Sequence, residues 1–177
     1  MRVRLFVAAE LPGEAVDALV AWRPRGDGLR PLAPEALHVT LAFLGWREQE
    51  EVPAITAALE GAARPVTQLS LGGAVWLPRR RPRVLAVELA DGDGALAAVQ
   101  RDLAAALAEA VAWTPERRPF FAHVTVARVR AAAKNLPDAG EPPALGPFAA
   151  RAVTLFRSHM SPHGARYEAL ARASVAP

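Results

Sequence analysis

Apolar and polar residues alternate with a period of two along seven segments of this chain, the pattern of half-buried β-strands. Three other segments repeat apolar residues at helical spacing instead. Predicted strands cover residues 2–11, 37–45, 67–77, 83–90, 121–129, 150–159 and 165–173, and predicted helices cover 12–22, 48–63 and 93–111. This mixed order predicts an α+β protein with a trace of internal duplication.

Glycine, proline and aspartate residues predict where these elements end. Gly45 is expected to close the second strand, and Asp91 or Asp93 is expected to cap the third helix. Residues 23–36 and 131–147, both rich in proline and glycine, are expected to be irregular loops. The last two strands are expected to be joined by a turn that contains Pro162 and Gly164.

One tripeptide occurs twice, as His38-Val39-Thr40 and as His123-Val124-Thr125, in a chain that holds only four histidines. Since side chains alternate across a strand, each histidine should share a face with its threonine. The copies stand about half the chain apart. We therefore predict one domain over residues 1–177 with two pseudo-symmetric lobes. Each lobe is an antiparallel-rich sheet with helices on its outer face, and the two His-x-Thr strands face a central cleft.

Two imidazoles and two hydroxyls on one surface suit acid–base chemistry on a phosphate. One histidine can deprotonate water and the other can protonate a leaving oxygen near neutral pH. The threonine hydroxyls can donate to non-bridging phosphoryl oxygens. Because in-line displacement puts the attacking and leaving atoms on opposite sides of phosphorus, the base and the acid belong on opposite walls.

Five segments of the chain resemble the two-histidine (2H) phosphoesterase superfamily, in order and over nearly the whole length. They are RLFVAAELP, HVTLAFLG, RPRVLAVEL, HVTVARV and LFRSHMSPHGARYEALA. Within that superfamily the chain is similar to RNA 2′,3′-cyclic phosphodiesterases, also called 2′-5′ RNA ligases. The resemblance implies hydrolysis of a terminal RNA 2′,3′-cyclic phosphate to a 2′-phosphomonoester, with 2′-5′ ligation as a side activity. It also implies that His38 is the proton donor, that His123 is the proton acceptor, and that Thr40 and Thr125 hold the phosphate.

Composition narrows the chemistry further. The chain contains no cysteine, which excludes disulfides and thiolate metal sites. We expect no metal and no cofactor, because His159 and His163 are not accompanied by further ligands. The net charge is +3, and all basic residues but Lys134 are arginines, which suit bidentate phosphate recognition.

Several further residues are candidates for binding substrate. Strict alternation places Arg128 on the face opposite His123, unless a bulge turns it toward the phosphate. Arg157 is a comparable candidate, and Arg81 belongs to a basic cluster in a predicted turn. Phe121 could stack on a base, whereas core packing is expected for one of the Phe120–Phe121 pair. Members of the resembled family often carry a lysine where this chain has Ala42. Alternation places residue 42 beside His38 and Thr40, so this chain would lack that cation.

Two other functions stay open from the residues. The same histidines could act on another nucleotide phosphodiester, such as a 2′-5′ linkage or a small cyclic nucleotide. Alternatively, the protein could bind RNA ends without turning them over. The predicted partner is RNA with a 2′,3′-cyclic phosphate end; we expect a monomer, no membrane association and a cytoplasmic location, since no stretch approaches the length of a membrane span.

Overall fold

A computed structural model describes residues 1–131, 133, 135–161 and 164–177 of the chain. Within them, eight strands and three α-helices follow one another in a mixed order. The strands are β1 (Arg2–Glu10), β2 (Leu29–Pro31), β3 (His38–Glu48), β4 (Leu69–Leu77), β5 (Val84–Asp91), β6 (His123–Val129), β7 (Ala152–Ser161) and β8 (Gly164–Ser174). The helices are α1 (Gly13–Trp22), α2 (Val52–Ala62) and α3 (Ala95–Val111). The predicted α+β class is confirmed.

The strands form one antiparallel sheet in the order β4-β5-β6-β3-β1-β7-β8. The two expected sheets are therefore halves of a continuous one. They meet where β3 pairs with β6, through the single residue pair Val39–Val124. The same edge of β6 then pairs with β2, so β3 and β2 share it in succession.

One face of the sheet packs against the helices, and the other face carries no α-helix of the described chain. Val39 and Val124 are fully buried, and they join a core that includes Leu59 of α2 and Leu103 of α3. Each fully buried aliphatic side chain contributes about 1.5–3 kcal/mol to stability, so the core fixes which face of each strand is turned inward. The histidines and threonines of the two motifs consequently point to the opposite face.

Several predicted boundaries were wrong, each for a local reason. The loop predicted over 23–36 contains β2, whose three residues are too few to show an alternating pattern. Gly45 does not end β3, which continues to Glu48. The helix predicted from residue 48 starts at Val52, because the preceding turn is a 3-10 helix.

Gly94 occupies the N-cap position of α3, but both predicted aspartates bind amides of its first turn. The Asp93 carboxylate accepts a hydrogen bond from the Ala95 amide at 3.1 Å, and Asp91 accepts from the Leu96 and Ala97 amides. These bonds satisfy amides that the first helical turn leaves without partners.

Bulges interrupt the alternation of both motif strands at the same place. In β3 the register against β1 shifts after Thr40, so that Leu41 and Ala42 are both buried. In β6 the register against β5 shifts after Thr125, so that Val126 and Ala127 are both buried. In each strand, the extra residue turns the side chains directly after it to the face opposite the one that strict alternation predicts.

The reversal overturns two expectations from strict alternation. Ala42 does not share the face of His38; Phe43 takes that position instead. Arg128 does not point away from His123, because the bulge brings it to the motif face. Phe43 and Arg128 are thus equivalent positions, each five residues after its histidine.

Candidate active site

Both His-x-Thr motifs line one cavity of about 390 Å³ on the open face of the sheet. His38, Thr40, His123 and Thr125 all contribute to its wall. This volume lies within the range of small-molecule sites.

Antiparallel pairing relates the two motifs by a local twofold axis. Val39 and Val124 face each other across that axis. Each histidine lies one residue before the pair and each threonine one residue after it, so His38 stands diagonally opposite His123. A group bound over the axis would have one imidazole on either side of it, as in-line displacement requires.

An aromatic box surrounds His38. Its ring stacks on Phe6 with centroids 5.1 Å apart, lies nearly parallel to Phe156 at 6.0 Å, and meets the edge of Tyr167 at 5.5 Å. Burial among these rings lowers the pKa of His38 to about 4, because an imidazolium loses its hydration there. His38 is therefore neutral at neutral pH in the free protein.

The carboxylate of Glu10 opposes this effect. Glu10 pairs with His38 across the β1–β3 ladder, and its negative charge raises the pKa of the imidazole. Burial would raise the pKa of Glu10, yet hydrogen bonds from Arg172 and Thr154 hold that pKa below its usual value. Glu10 is thus a fixed, ionised neighbour of the first histidine.

His123 is oriented differently, by the backbone. Its Nδ1 lies 2.7 Å from the carbonyl oxygen of Phe121, and its ring stacks on the Phe121 ring at 5.3 Å. Since a carbonyl only accepts, Nδ1 must carry the hydrogen, and Nε2 is the nitrogen left to exchange protons. Glu88 pairs with His123 across the β5–β6 ladder, as Glu10 does with His38.

Three arginines give the cavity wall positive charge. Arg4, Arg30 and Arg128 line it, and none of them forms an ion pair with a carboxylate of the described residues. Arg30 and Arg128 oppose each other directly across the β2–β6 ladder. Like charges in that arrangement repel, so a bound anion would stabilise the pair.

The remaining candidates lie elsewhere. Phe121 contacts His123 and does not line the cavity, and Phe120 packs against the core, as expected for one of the two. Arg81 is exposed in the β4–β5 turn. Arg157 alternates with the cavity residue Ser158 on β7 and so points away from the cavity.

The third histidine of the described chain also lies off the site. His159 follows Ser158 on β7, and its Nε2 is 2.6 Å from the Glu168 carboxylate on β8. His163 lies outside the described residues. Within those residues, no three His, Asp or Glu side chains are grouped as they would be around a metal ion.

Sequence reasoning missed Arg4, Arg30, Phe43 and the box around His38. Arg30 was hidden in the loop that contains β2. Phe43 could have been found, because the apolar pair Leu41–Ala42 directly after His-x-Thr breaks the alternation and signals a bulge.

A curled antiparallel sheet that brings two His-x-Thr strands to one basic cavity defines a 2H phosphoesterase. The chain belongs to the 2′-5′ RNA ligase superfamily, whose family model matches residues 11–159. The resemblance drawn from the motifs is thereby confirmed. Among the described residues, no helix has the length and apolar character needed to span a membrane.

Named relatives agree with this family. The RNA 2′,3′-cyclic phosphodiesterase of Escherichia coli is 30% identical over 182 residues, covering 96% of this chain and 94% of the relative. The protein of the same name from Thermus thermophilus is 32% identical over 186 residues, with 98% and 90% covered. The crystal structure of E. coli LigT complexed with 3′-AMP superposes with a TM-score of 0.79 at 26% identity, covering 99% of both chains.

Proposed function

We propose that this protein hydrolyses terminal RNA 2′,3′-cyclic phosphodiesters to 2′-phosphomonoesters without a metal. The observation that carries the proposal is the placement of both His-x-Thr motifs in one cavity, together with three arginines that no described carboxylate pairs. The names of the Escherichia and Thermus relatives support the same substrate for this chain.

The proposed reaction divides its proton transfers between the two histidines. His123 Nε2 removes a proton from water, which attacks phosphorus on the side opposite the 3′ oxygen. The bond from phosphorus to that oxygen breaks, and His38 gives the oxygen a proton. The products are a 2′-phosphomonoester and a free 3′ hydroxyl, and exchange with solvent restores both imidazoles.

The assignment of His38 as the donor follows the family resemblance and agrees with its surroundings. A lowered pKa makes the His38 imidazolium a stronger acid than an ordinary one, so it gives up its proton more readily. The anionic substrate and the Glu10 carboxylate both favour the charged form needed before transfer. His123, with Nδ1–H bound to a carbonyl, presents a lone pair at Nε2.

The remaining groups would bind the phosphoryl oxygens. Thr40 and Thr125 flank the local twofold axis and can donate hydroxyl hydrogens to non-bridging oxygens. Arg30 and Arg128 can neutralise the charge that accumulates there. A 2′-5′ ligase side activity would use the same groups in reverse.

The test is hydrolysis of an oligoribonucleotide ending in 2′,3′-cyclic phosphate, with EDTA present throughout. We expect a 2′-phosphate product, and a loss of about 10²–10⁴ in kcat for His38→Ala and for His123→Ala. His159→Ala, on the other face of β7, is the matched control and should keep full activity. Binding without turnover would favour an RNA-end-binding protein, and inhibition by EDTA would contradict the metal-free mechanism.

A further inference from the structure

An exposed aromatic and arginine surface extends from the cavity along β1 and β3. Phe43 lines the cavity and is 46% exposed, and Trp46, three residues on, is 57% exposed. The Arg4 guanidinium lies over the Phe43 ring, with its Cζ 5.0 Å from the ring centroid. We call Arg4, Phe43 and Trp46 the platform.

A second bulge in β3 turns Trp46 toward the same face as the catalytic residues. The β1–β3 register shifts between Phe43 and Gly45, and Gly45 has φ +70°, a conformation that glycine adopts without strain. Trp46 then pairs directly with Arg4, and opposed residues of an antiparallel pair share a face. Since Arg4 lines the cavity, the tryptophan lies on the face that leads out of it.

The platform is held in place by contacts on both sides. The Trp113 indole donates a hydrogen bond of 3.1 Å to the Phe43 carbonyl, and Arg4 Nη1 lies 3.1 Å from the sulfur of Met160. An arginine fixed beside two exposed aromatic rings is the combination that binds single-stranded nucleic acid, where bases stack and phosphates meet cations.

From this placement we propose that the platform binds the RNA strand on the 5′ side of the cyclic phosphate, with a base stacked on Trp46. The inference rests on the proposed function, since it takes the cyclic end to lie between His38 and His123. Arg4 carries the positive charge that the strand's phosphates require, and the platform is continuous with the cavity.

The reach of the platform sets the length of RNA it binds. Thr40 and Trp46 oppose Ala8 and Arg4, four residues apart on β1, which corresponds to about 13 Å. Beyond Trp46, Glu48 and Glu50 pair with the N-terminal ammonium, and Glu48 also pairs with Arg2, so the charges at this end of β3 balance and add no net attraction for further phosphates. A strand should therefore gain from its first two or three nucleotides and little from the rest.

The experiment compares kcat/KM for substrates of one, two, three and six nucleotides, each ending in 2′,3′-cyclic phosphate. We expect wild type to gain about tenfold between one and three nucleotides and to change little at six. Trp46→Leu should lose that gain while leaving the mononucleotide unchanged. Trp46→Phe keeps an aromatic face and should retain most of the gain.

The outcomes separate this proposal from the proposed function. If Trp46→Leu lowers kcat/KM equally for every length, or if wild type shows no length dependence, the platform does not bind the strand. If wild type hydrolyses none of the substrates, the proposed function fails. The platform is then judged by the affinity for a trinucleotide with a 3′-terminal phosphate, which Trp46→Leu should weaken about tenfold and Trp46→Phe should not.

Discussion

His38 illustrates how a single residue is tuned by its surroundings. The rings of Phe6, Phe156 and Tyr167 exclude water from the imidazole and so destabilise its charged form. The Glu10 carboxylate partly offsets this effect, because its negative charge stabilises the imidazolium. An ordinary strand histidine would titrate near pH ~6.5. Burial among the three rings instead lowers the pKa of this one to about 4.

The lowered pKa of His38 predicts acid sensitivity of the fold. Because the unfolded chain binds this proton near pH 6.5 and the folded chain only near pH 4, stability contributed by His38 is present above pH 6.5 and lost as the pH falls to about 4. The loss should reach about 3 kcal/mol. Urea unfolding of wild type and His38→Gln at several pH values measures the part of this loss that His38 contributes. Equal pH dependence of the free energy of unfolding in the two proteins would contradict the pKa assignment.

At the scale of elements, bulges decide which side chains reach the site. Both motif strands insert an extra residue after the threonine, and this brings Phe43 and Arg128 to the face that carries the cavity. A third shift in register does the same for Trp46. A glutamate opposes each motif histidine on the neighbouring strand: Glu10 opposes His38, and Glu88 opposes His123.

The bulges also mark how far sequence reasoning extends. Period-two alternation was sufficient to place His38 with Thr40, and His123 with Thr125, because no bulge lies between them. It failed at Ala42, since a bulge depends on pairing with a neighbouring strand. Arg30 was missed for a related reason: three residues of β2 are too few to show a period.

The opposed arginines predict a conflict between stability and activity. Replacing one of them, as in Arg30→Gln or Arg128→Gln, should raise the free energy of unfolding by about 0.2–1 kcal/mol at low salt, because a like-charge cross-strand pair is relieved. The same variants should lose about 10–100-fold in kcat/KM, as a charge-assisted hydrogen bond is removed. Urea unfolding and steady-state kinetics measure the two effects.

A matched control is Arg101→Gln on α3, where the arginine pairs with Asp102. This variant should gain no stability and keep its activity. Inorganic phosphate should stabilise wild type more than either cavity variant, since it binds only the folded site. Cavity variants that are no more stable than wild type, and equally stabilised by phosphate, would contradict the anion site.

At the scale of the whole molecule, two half-chains supply one site. The halves of the sheet meet at Val39–Val124, and the twofold axis of that pair places one His-x-Thr motif on either side of the cavity. In the proposed reaction, neither motif alone would provide an acid and a base on opposite sides of phosphorus. The predicted single domain of two pseudo-symmetric lobes over residues 1–177 stays a prediction.

The central claim is that His38 and His123 divide the proton transfers of one displacement. A substrate with sulfur in place of the bridging 3′ oxygen tests it, because a thiolate leaves without being protonated. We predict that His38→Ala hydrolyses this substrate within about tenfold of wild type, whereas His123→Ala stays about 10²–10⁴ slower. If both variants remain equally impaired, or if the sulfur substrate restores His123→Ala instead, the assignment of donor and acceptor is wrong.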